Sequence, residues 1–180
     1  MSSRYRRRRR ELRIRTQADS HQKRFVFYGR TDTPMPARSD EATRERQRQL
    51  SIATRLVDER GGAIVLTLFD STSDRFASWK YRPHAGRLLR AITAPQRGFD
   101  AIVVGDTLIT MSASDFDYLA DLCSMHGVEL WCPEIGGAFK PADADHQRIM
   151  WNSYWNPSRP APPGRGPAGA SPPVGKPPPL

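Results

Sequence analysis

Five side chains drawn from separated stretches are of the kinds that handle phosphate. Arg30 and Asp32 close the run Phe25-Val26-Phe27-Tyr28-Gly29-Arg30-Thr31-Asp32-Thr33. Asp70 ends the apolar stretch Ala63-Ile64-Val65-Leu66-Thr67-Leu68-Phe69. Arg82 stands in Lys80-Tyr81-Arg82-Pro83, and Asp106 follows Phe99-Asp100-Ala101-Ile102-Val103-Val104-Gly105. A guanidinium presents a planar fork of donors that matches a phosphodiester, and a carboxylate beside it can fix its direction. Taken singly, a polar residue at the end of an apolar run is equally a turn former or a helix cap. The recurrence from run to run gives the set its weight.

Those runs read as strands. Phe25 to Tyr28 is aromatic and β-branched, and Gly29 after it permits close backbone approach. Ala63 to Phe69 is apolar enough to suggest a strand buried on both faces, and Phe99 to Gly105 is a third strand, nearly all apolar at its centre. Val128-Glu129-Leu130-Trp131-Cys132 is a fourth, stopped by Pro133. Helical patterns lie between them. One runs from about Glu41 to Glu59 with Leu50, Ala53, Leu56 and Val57 on a single face, capped by Ser39 or Asp40 and ended by Gly61-Gly62. A short one starts at Pro83 and carries Leu88, Leu89 and Ile92. A third, capped by Ser112 or Ser114, turns Phe116, Leu119, Ala120 and Cys123 inward and closes at Gly127; a fourth spans Asp143 to about Trp155.

The order β-α-β-α-β-α-β-α predicts an α/β fold: a three-layer domain with a mainly parallel sheet of four to five strands and helices on both faces. In such a sheet the carboxyl ends of the strands share one edge, where ligands bind. Arg30, Asp32, Asp70 and Asp106 are thereby expected to meet there, with Arg82 in the loop beside them.

The chain has 180 residues and a formal net charge of +9, which points toward nucleic acid. The charge is uneven. Residues 1–24 hold ten Lys/Arg, among them Arg7, Arg8 and Arg9, against Glu11 and Asp19; the last segment adds Arg159, Arg165 and Lys176. The middle is close to balanced. Three parts are expected: an Arg-rich arm over 1–21, too poor in apolar residues to order itself; a folded domain over 22–155; and a Pro/Gly-rich tail over 156–180. The arm suits neutralisation of phosphates, and equally a solubilising role.

Several functions lack their residues. His21, His84, His126 and His146 are scattered without ligand spacing, and Cys123 and Cys132 fit neither a zinc nor a CxxC pattern, so neither metal nor disulfide is expected. No glycine-rich phosphate loop follows the first strand, so no nucleotide cofactor is expected. No apolar run reaches the ~20 residues of a membrane span, and no apolar stretch follows the N-terminal arginines, so a cytoplasmic protein is expected. Trp151, Tyr154 and Trp155 form an aromatic group that can stack on bases, cap a core or mark an interface.

The stretch from Tyr28 to Thr33 resembles the opening of the resolvase/invertase (serine recombinase) catalytic domain, whose pattern is Tyr-x-Arg-x-Ser-Thr. The resemblance runs over roughly residues 24 to 150. Phe69-Asp70, then Arg82-Pro83, then Arg87-Leu88-Leu89 look like the family's Asp, Arg-Pro and Leu-Leu landmarks. The strand from Gly98 to Asp106 is similar to its third strand. Val128 to Glu134 with Gly136-Gly137, and His146 to Met150, look like an actinobacterial branch. The resemblance implies that Arg30 and Arg82 grip a scissile phosphate, and that Asp70 and Asp106 hold those arginines or the neighbouring turn. It implies DNA as substrate, attack by a serine on phosphorus, no cofactor, and a homodimer or pairing with a related recombinase.

The sequence departs from the family where the chemistry is done. Asp32 stands at the serine position. A carboxylate attacking phosphorus would give an acyl phosphate, which does not conserve bond energy for reversible exchange, and an ionised Asp repels phosphate by about 4 kcal/mol at ~4 Å and an effective dielectric near 20. Where the family has Asp-Arg-x-x-Arg, the chain has Asp106-Thr107-Leu108-Ile109-Thr110. From Pro157 the chain is Pro-rich, where the family continues its long helix toward a DNA-binding domain. The expectation is a DNA-binding pseudoenzyme related to site-specific recombination, a mobile-element remnant or a repurposed module. The alternatives are an active recombinase with an unconventional nucleophile, and a protein-interaction or anion-binding module with no DNA role.

Overall fold

The computed structural model describes residues 22–31, 40–71 and 77–155, the side chain of Trp155 excepted. Five strands form one sheet in the order β2-β1-β3-β4-β5. They are β1 (Arg24–Thr31), β2 (Ala63–Ser71), β3 (Ala101–Val104), β4 (Glu129–Cys132) and the short β5 (Gly137–Ala138). The first four are parallel, and β5 turns back antiparallel on β4. The helices are α1 (Asp40–Asp58), α2 (Pro83–Thr93), the single turn α3 (Thr107–Thr110), α4 (Ala113–Met125) and α5 (Ala144–Trp155). A 3-10 turn, Trp79–Tyr81, leads into α2. The three-layer α/β arrangement is the one the alternating pattern predicts.

Alternation along β1 divides the core. Phe25 and Phe27 face α1 and pack with Ala53, Leu56, Val57, Val103 and Trp131. Val26 and Tyr28 face the other way, into the larger cluster with Leu88 and Ile92 of α2, Phe116 and Leu119 of α4, and Met150 of α5. One helix therefore covers one face and three cover the other. Local rules set the helix starts. Pro83 occupies the first position of α2, where its missing N–H costs nothing. Ser112 caps α4, its Oγ accepting from the Asp115 amide at 3.2 Å.

β2 departs from expectation. It is not buried on both faces: Val65 is 52% exposed and Leu66 48%. The strand lies at the margin of the sheet, paired on one side with β1, with a register irregularity between Phe25 and Val26. Only Leu68 and Asp70 within it are buried. An apolar run does not report how many neighbours a strand has, and the edge position explains the difference.

Candidate functional site

The chain order reverses at β1, which has β2 on one side and β3 on the other, so the crevice at their carboxyl ends is a topological switch point. β1 delivers Arg30 there, in register with Asp70 of β2. Arg82 arrives where the 3-10 turn meets α2, and Asp106 caps α3 immediately after β3. The structure brings Arg30, Asp70, Arg82 and Asp106 to one rim. Asp32, the position matched to the family's serine, lies outside the described residues, as do Arg7, Arg8 and Arg9 of the arm.

Both guanidiniums turn inward. Arg30 and Arg82 are each 2% exposed. Arg30 Nη1 donates to the Ile109 carbonyl at 2.7 Å. Arg82 Nη1 donates to the adjacent Thr110 carbonyl, and its Nε to the Ala77 carbonyl at 2.8 Å. Trp79 Nε1 shares the Thr110 carbonyl at 3.1 Å. The last carbonyls of a helical turn lack partners within it and carry partial negative charge, so two cations ending there are well placed.

The two carboxylates hold turns. Asp70 accepts from the Tyr28 hydroxyl at 3.0 Å and from the His84 and Ala85 amides at 3.1 and 3.0 Å, which ties β2 to the first turn of α2. Burial, and then the Asp70 carboxylate, push the Tyr28 phenol well above its usual range; the Arg82 guanidinium acts in the opposite direction. Tyr28 thus stays protonated between acid and base. Asp106 Oδ1 accepts from the Ile109 amide at 3.2 Å and its Oδ2 from Arg48 Nη2 at 2.8 Å. Arg48 also grips Glu45, and these two carboxylates, Glu45 first, raise its already high pKa.

Two residues here escaped sequence reading. Gln49 is fully buried and clamps the end of β1: its Oε1 accepts from the Arg30 amide at 3.1 Å and its Nε2 donates to the Arg30 carbonyl at 2.7 Å. It sits one position before Leu50, outside the apolar stripe of Leu50, Ala53, Leu56 and Val57 that the sequence marks. Two glycines let it approach. A Cβ at Gly29 would lie 2.8 Å from Gln49 Oε1 and 2.7 Å from the Phe69 ring; a Cβ at Gly105 would lie 2.4 Å from Gln49 Cβ. The other residue is Glu134, which accepts the Thr107 amide at 3.0 Å and the Thr107 hydroxyl at 2.6 Å. In the sequence it stood only as the end of the family-like stretch Val128 to Glu134, with no role of its own.

Chemically, the rim is a closed pair of cations balanced in part by Asp70. The hydroxyls of Thr107 and Thr110 belong to residues with no exposed surface and are bonded internally, so neither is poised as a nucleophile. Among the described residues no group of three His, Cys, Asp or Glu could hold a metal ion, and no helix is long and apolar enough to cross a membrane. The aromatic group at the end of the domain splits: Tyr154 packs on Phe116, while Trp151 is exposed.

No protein-family model matches the chain, and no curated protein matches it. Solved structures do. A resolvase family site-specific recombinase from Streptococcus pneumoniae superposes with a TM-score of 0.53 at 16% identity, covering 73% of this chain and 86% of that one. The N-terminal catalytic domain of TP901-1 integrase superposes with a TM-score of 0.54 at 19% identity, covering 76% and 96%. With the switch-point crevice and the 2-1-3-4 strand order, these likenesses establish that the chain has the fold of the serine recombinase catalytic domain.

Proposed function

We propose that the protein is a DNA-binding relative of the site-specific recombinases that does not exchange strands, of the actinobacterial branch its motifs resemble. The observation that supports this best is the meeting of Arg30 and Arg82 on the same turn at the switch point of a recombinase-like sheet. Two guanidiniums converging from separate elements, one on β1 and one at the start of α2, suit a phosphodiester. The nucleophile is what fails: Asp32 replaces the serine hydroxyl, and the arginines of the family's Asp-Arg-x-x-Arg are replaced by Thr107 and Thr110. Removal of a single transition-state donor typically costs about 10²–10³ in rate. The arm over 1–21 supplies most of the DNA affinity, the domain over 22–155 carries the degenerate site, and the partner is DNA with a second copy or a related recombinase.

The deciding experiment replaces Asp32 by Ser and follows a supercoiled substrate for cleavage and for a covalent protein–DNA adduct. No cleavage is expected, because a restored hydroxyl still lacks the second set of cations. Adduct formation by Asp32→Ser would show that the remaining residues form a working site. An adduct already formed by the unaltered chain, and lost when Asp32 or Thr33 is changed, would establish an active recombinase with an unconventional nucleophile.

One observation favours a second reading, an interaction or anion-binding module with no DNA role: the two guanidiniums are bonded to carbonyls and almost wholly buried. Deleting residues 1–22 separates the readings. The recombinase-like reading expects affinity for a duplex to fall at least about tenfold, consistent with the loss of phosphate neutralisation, with a residual that weakens further when Arg82 is replaced by Ala. Complete loss on deletion, with no effect of Arg82→Ala in the full chain, supports the second reading.

A further inference from the structure

We infer that Glu134 is the positioning residue of the phosphate site, acting through α3 to hold Arg30 and Arg82 in a closed state that must open before an anion can enter. The inference rests on the reading of those arginines as phosphate ligands. It adds the element that keeps them inward and the residue that controls that element.

α3 is one turn long, so it has no i→i+4 ladder of any length to keep it in place, and its position depends on what grips its ends. At its first residue, Glu134 takes both the amide and the hydroxyl of Thr107. At its last two residues, the Ile109 and Thr110 carbonyls take Arg30 and Arg82. Glu134 itself is placed from the far side of the sheet. It lies in the turn between β4 and β5, where the Ile135 and Gly136 amides donate to the Cys132 carbonyl at 3.2 and 3.1 Å. The short antiparallel return of β5 thus fixes a carboxylate against the turn that sequesters the site. A bidentate, charge-assisted contact of this sort is among the stronger single contacts in proteins. Without it, the turn keeps Asp106 and its short link to β3 at one end but loses its tether to the turn between β4 and β5.

The arginines also have a reason to leave. The Ile109 and Thr110 carbonyls are neutral, whereas a phosphate oxygen is charged and makes shorter, stronger hydrogen bonds with a guanidinium than a carbonyl does. The closed state is therefore one of two arrangements available to the same side chains, and Glu134 weights the balance between them.

The test uses the full chain and phenylglyoxal, a dicarbonyl that modifies accessible arginines, read by peptide mass spectrometry. Arg55, whose side chain is 84% exposed, serves as the internal standard. Cys123, buried with its thiol pushed up to about 12 by burial, reports loosening of the whole domain through its reaction with a disulfide reagent. In the unaltered chain Arg30 and Arg82 react far more slowly than Arg55. In Glu134→Ala both are expected to accelerate together, about tenfold or more given the strength of hydrogen bonds to a charged group, while Cys123 stays protected. Thr107→Val, which fills the same volume without the hydroxyl, is expected to give a smaller joint rise, and Glu134→Gln to restore most of the protection. Unchanged reactivity in both Glu134→Ala and Thr107→Val overturns the inference. So does acceleration of Arg30 and Arg82 only in step with Cys123 in Thr107→Val. Added pyrophosphate separates this from the functional reading: arginines that open in the variant but are not shielded by the anion leave the control by Glu134 standing and count against phosphate binding.

Discussion

Replacing Asp70 by Ala is expected to cost about 4 kcal/mol of folding stability, in line with the loss of one member of a buried, charged network. Asp70 is 3% exposed and accepts three hydrogen bonds: one from the Tyr28 hydroxyl and two from the opening amides of α2. Truncation leaves two buried donors, the Tyr28 hydroxyl and the Ala85 amide, and the part-buried His84 amide without this acceptor, each buried one at a cost of about 1–3 kcal/mol. It also removes the carboxylate that shares the Tyr28 phenol with the Arg82 guanidinium. Asp70→Asn keeps an acceptor oxygen and the shape, so about half the loss is expected. A double-mutant cycle with Tyr28→Phe should yield a coupling of roughly 1.5–3 kcal/mol, the range of a hydrogen bond to a charged group. Urea unfolding followed by circular dichroism measures all three. A loss below about 1 kcal/mol for Asp70→Ala would mean that water replaces the carboxylate freely and that the buried anchor described above is not one. The consequence for function is direct: a DNA-binding defect in an Asp70 variant reports folding unless stability is measured beside it.

Much of this geometry could be read from the chain because it follows from periodicity. Phe25 to Tyr28, Phe99 to Val104 and Val128 to Cys132 have few conformations available other than strands, and alternation with helical stripes leaves a parallel sheet with its strand ends together. The rim that collects Arg30, Asp70, Arg82 and Asp106 is a corollary of that topology. The edge position of β2 was not legible, because strand order depends on which hydrophobic faces find each other and not on any one strand. The direction of the arginines was not legible either. Sequence places a guanidinium at a strand end but does not say whether its partner is a phosphate or the Ile109 carbonyl, since that carbonyl is supplied by the backbone of a four-residue turn with no helical period to announce it. Gln49 was hidden for a related reason. Its amide satisfies the Arg30 peptide as a neighbouring strand would, so a polar residue occupies a core position without cost.

The same contact leaves Gly105 no room for a side chain. Gly105→Ala is expected to cost about 3 kcal/mol, at the upper end for overpacking a well-filled interior. A Cβ there would sit 2.4 Å from Gln49 Cβ and 2.8 Å from the Gln49 carbonyl oxygen, atoms tied to the backbone of α1 that no rotamer change can move. Relief requires α1 to shift away from the sheet, and that would stretch both hydrogen bonds between Gln49 and the end of β1. Gly29→Ala meets contacts almost as short, at 2.7 Å from the Phe69 ring and 2.8 Å from Gln49 Oε1, but these are the far ends of side chains. Phe69 is only partly buried on the edge strand and can swing outward, so a smaller loss, about 1–2 kcal/mol, is expected. Adding Phe69→Leu should recover part of the Gly29→Ala loss and none of the Gly105→Ala loss. Urea midpoints for the four variants order the effects, and a Gly29→Ala penalty exceeding that of Gly105→Ala would show that α1 yields more readily than the edge ring. Because Arg30 hangs from the segment that Gln49 clamps, the Gly105→Ala variant should also expose Arg30 to phenylglyoxal while Arg82, held from α2 and the 3-10 turn, stays protected.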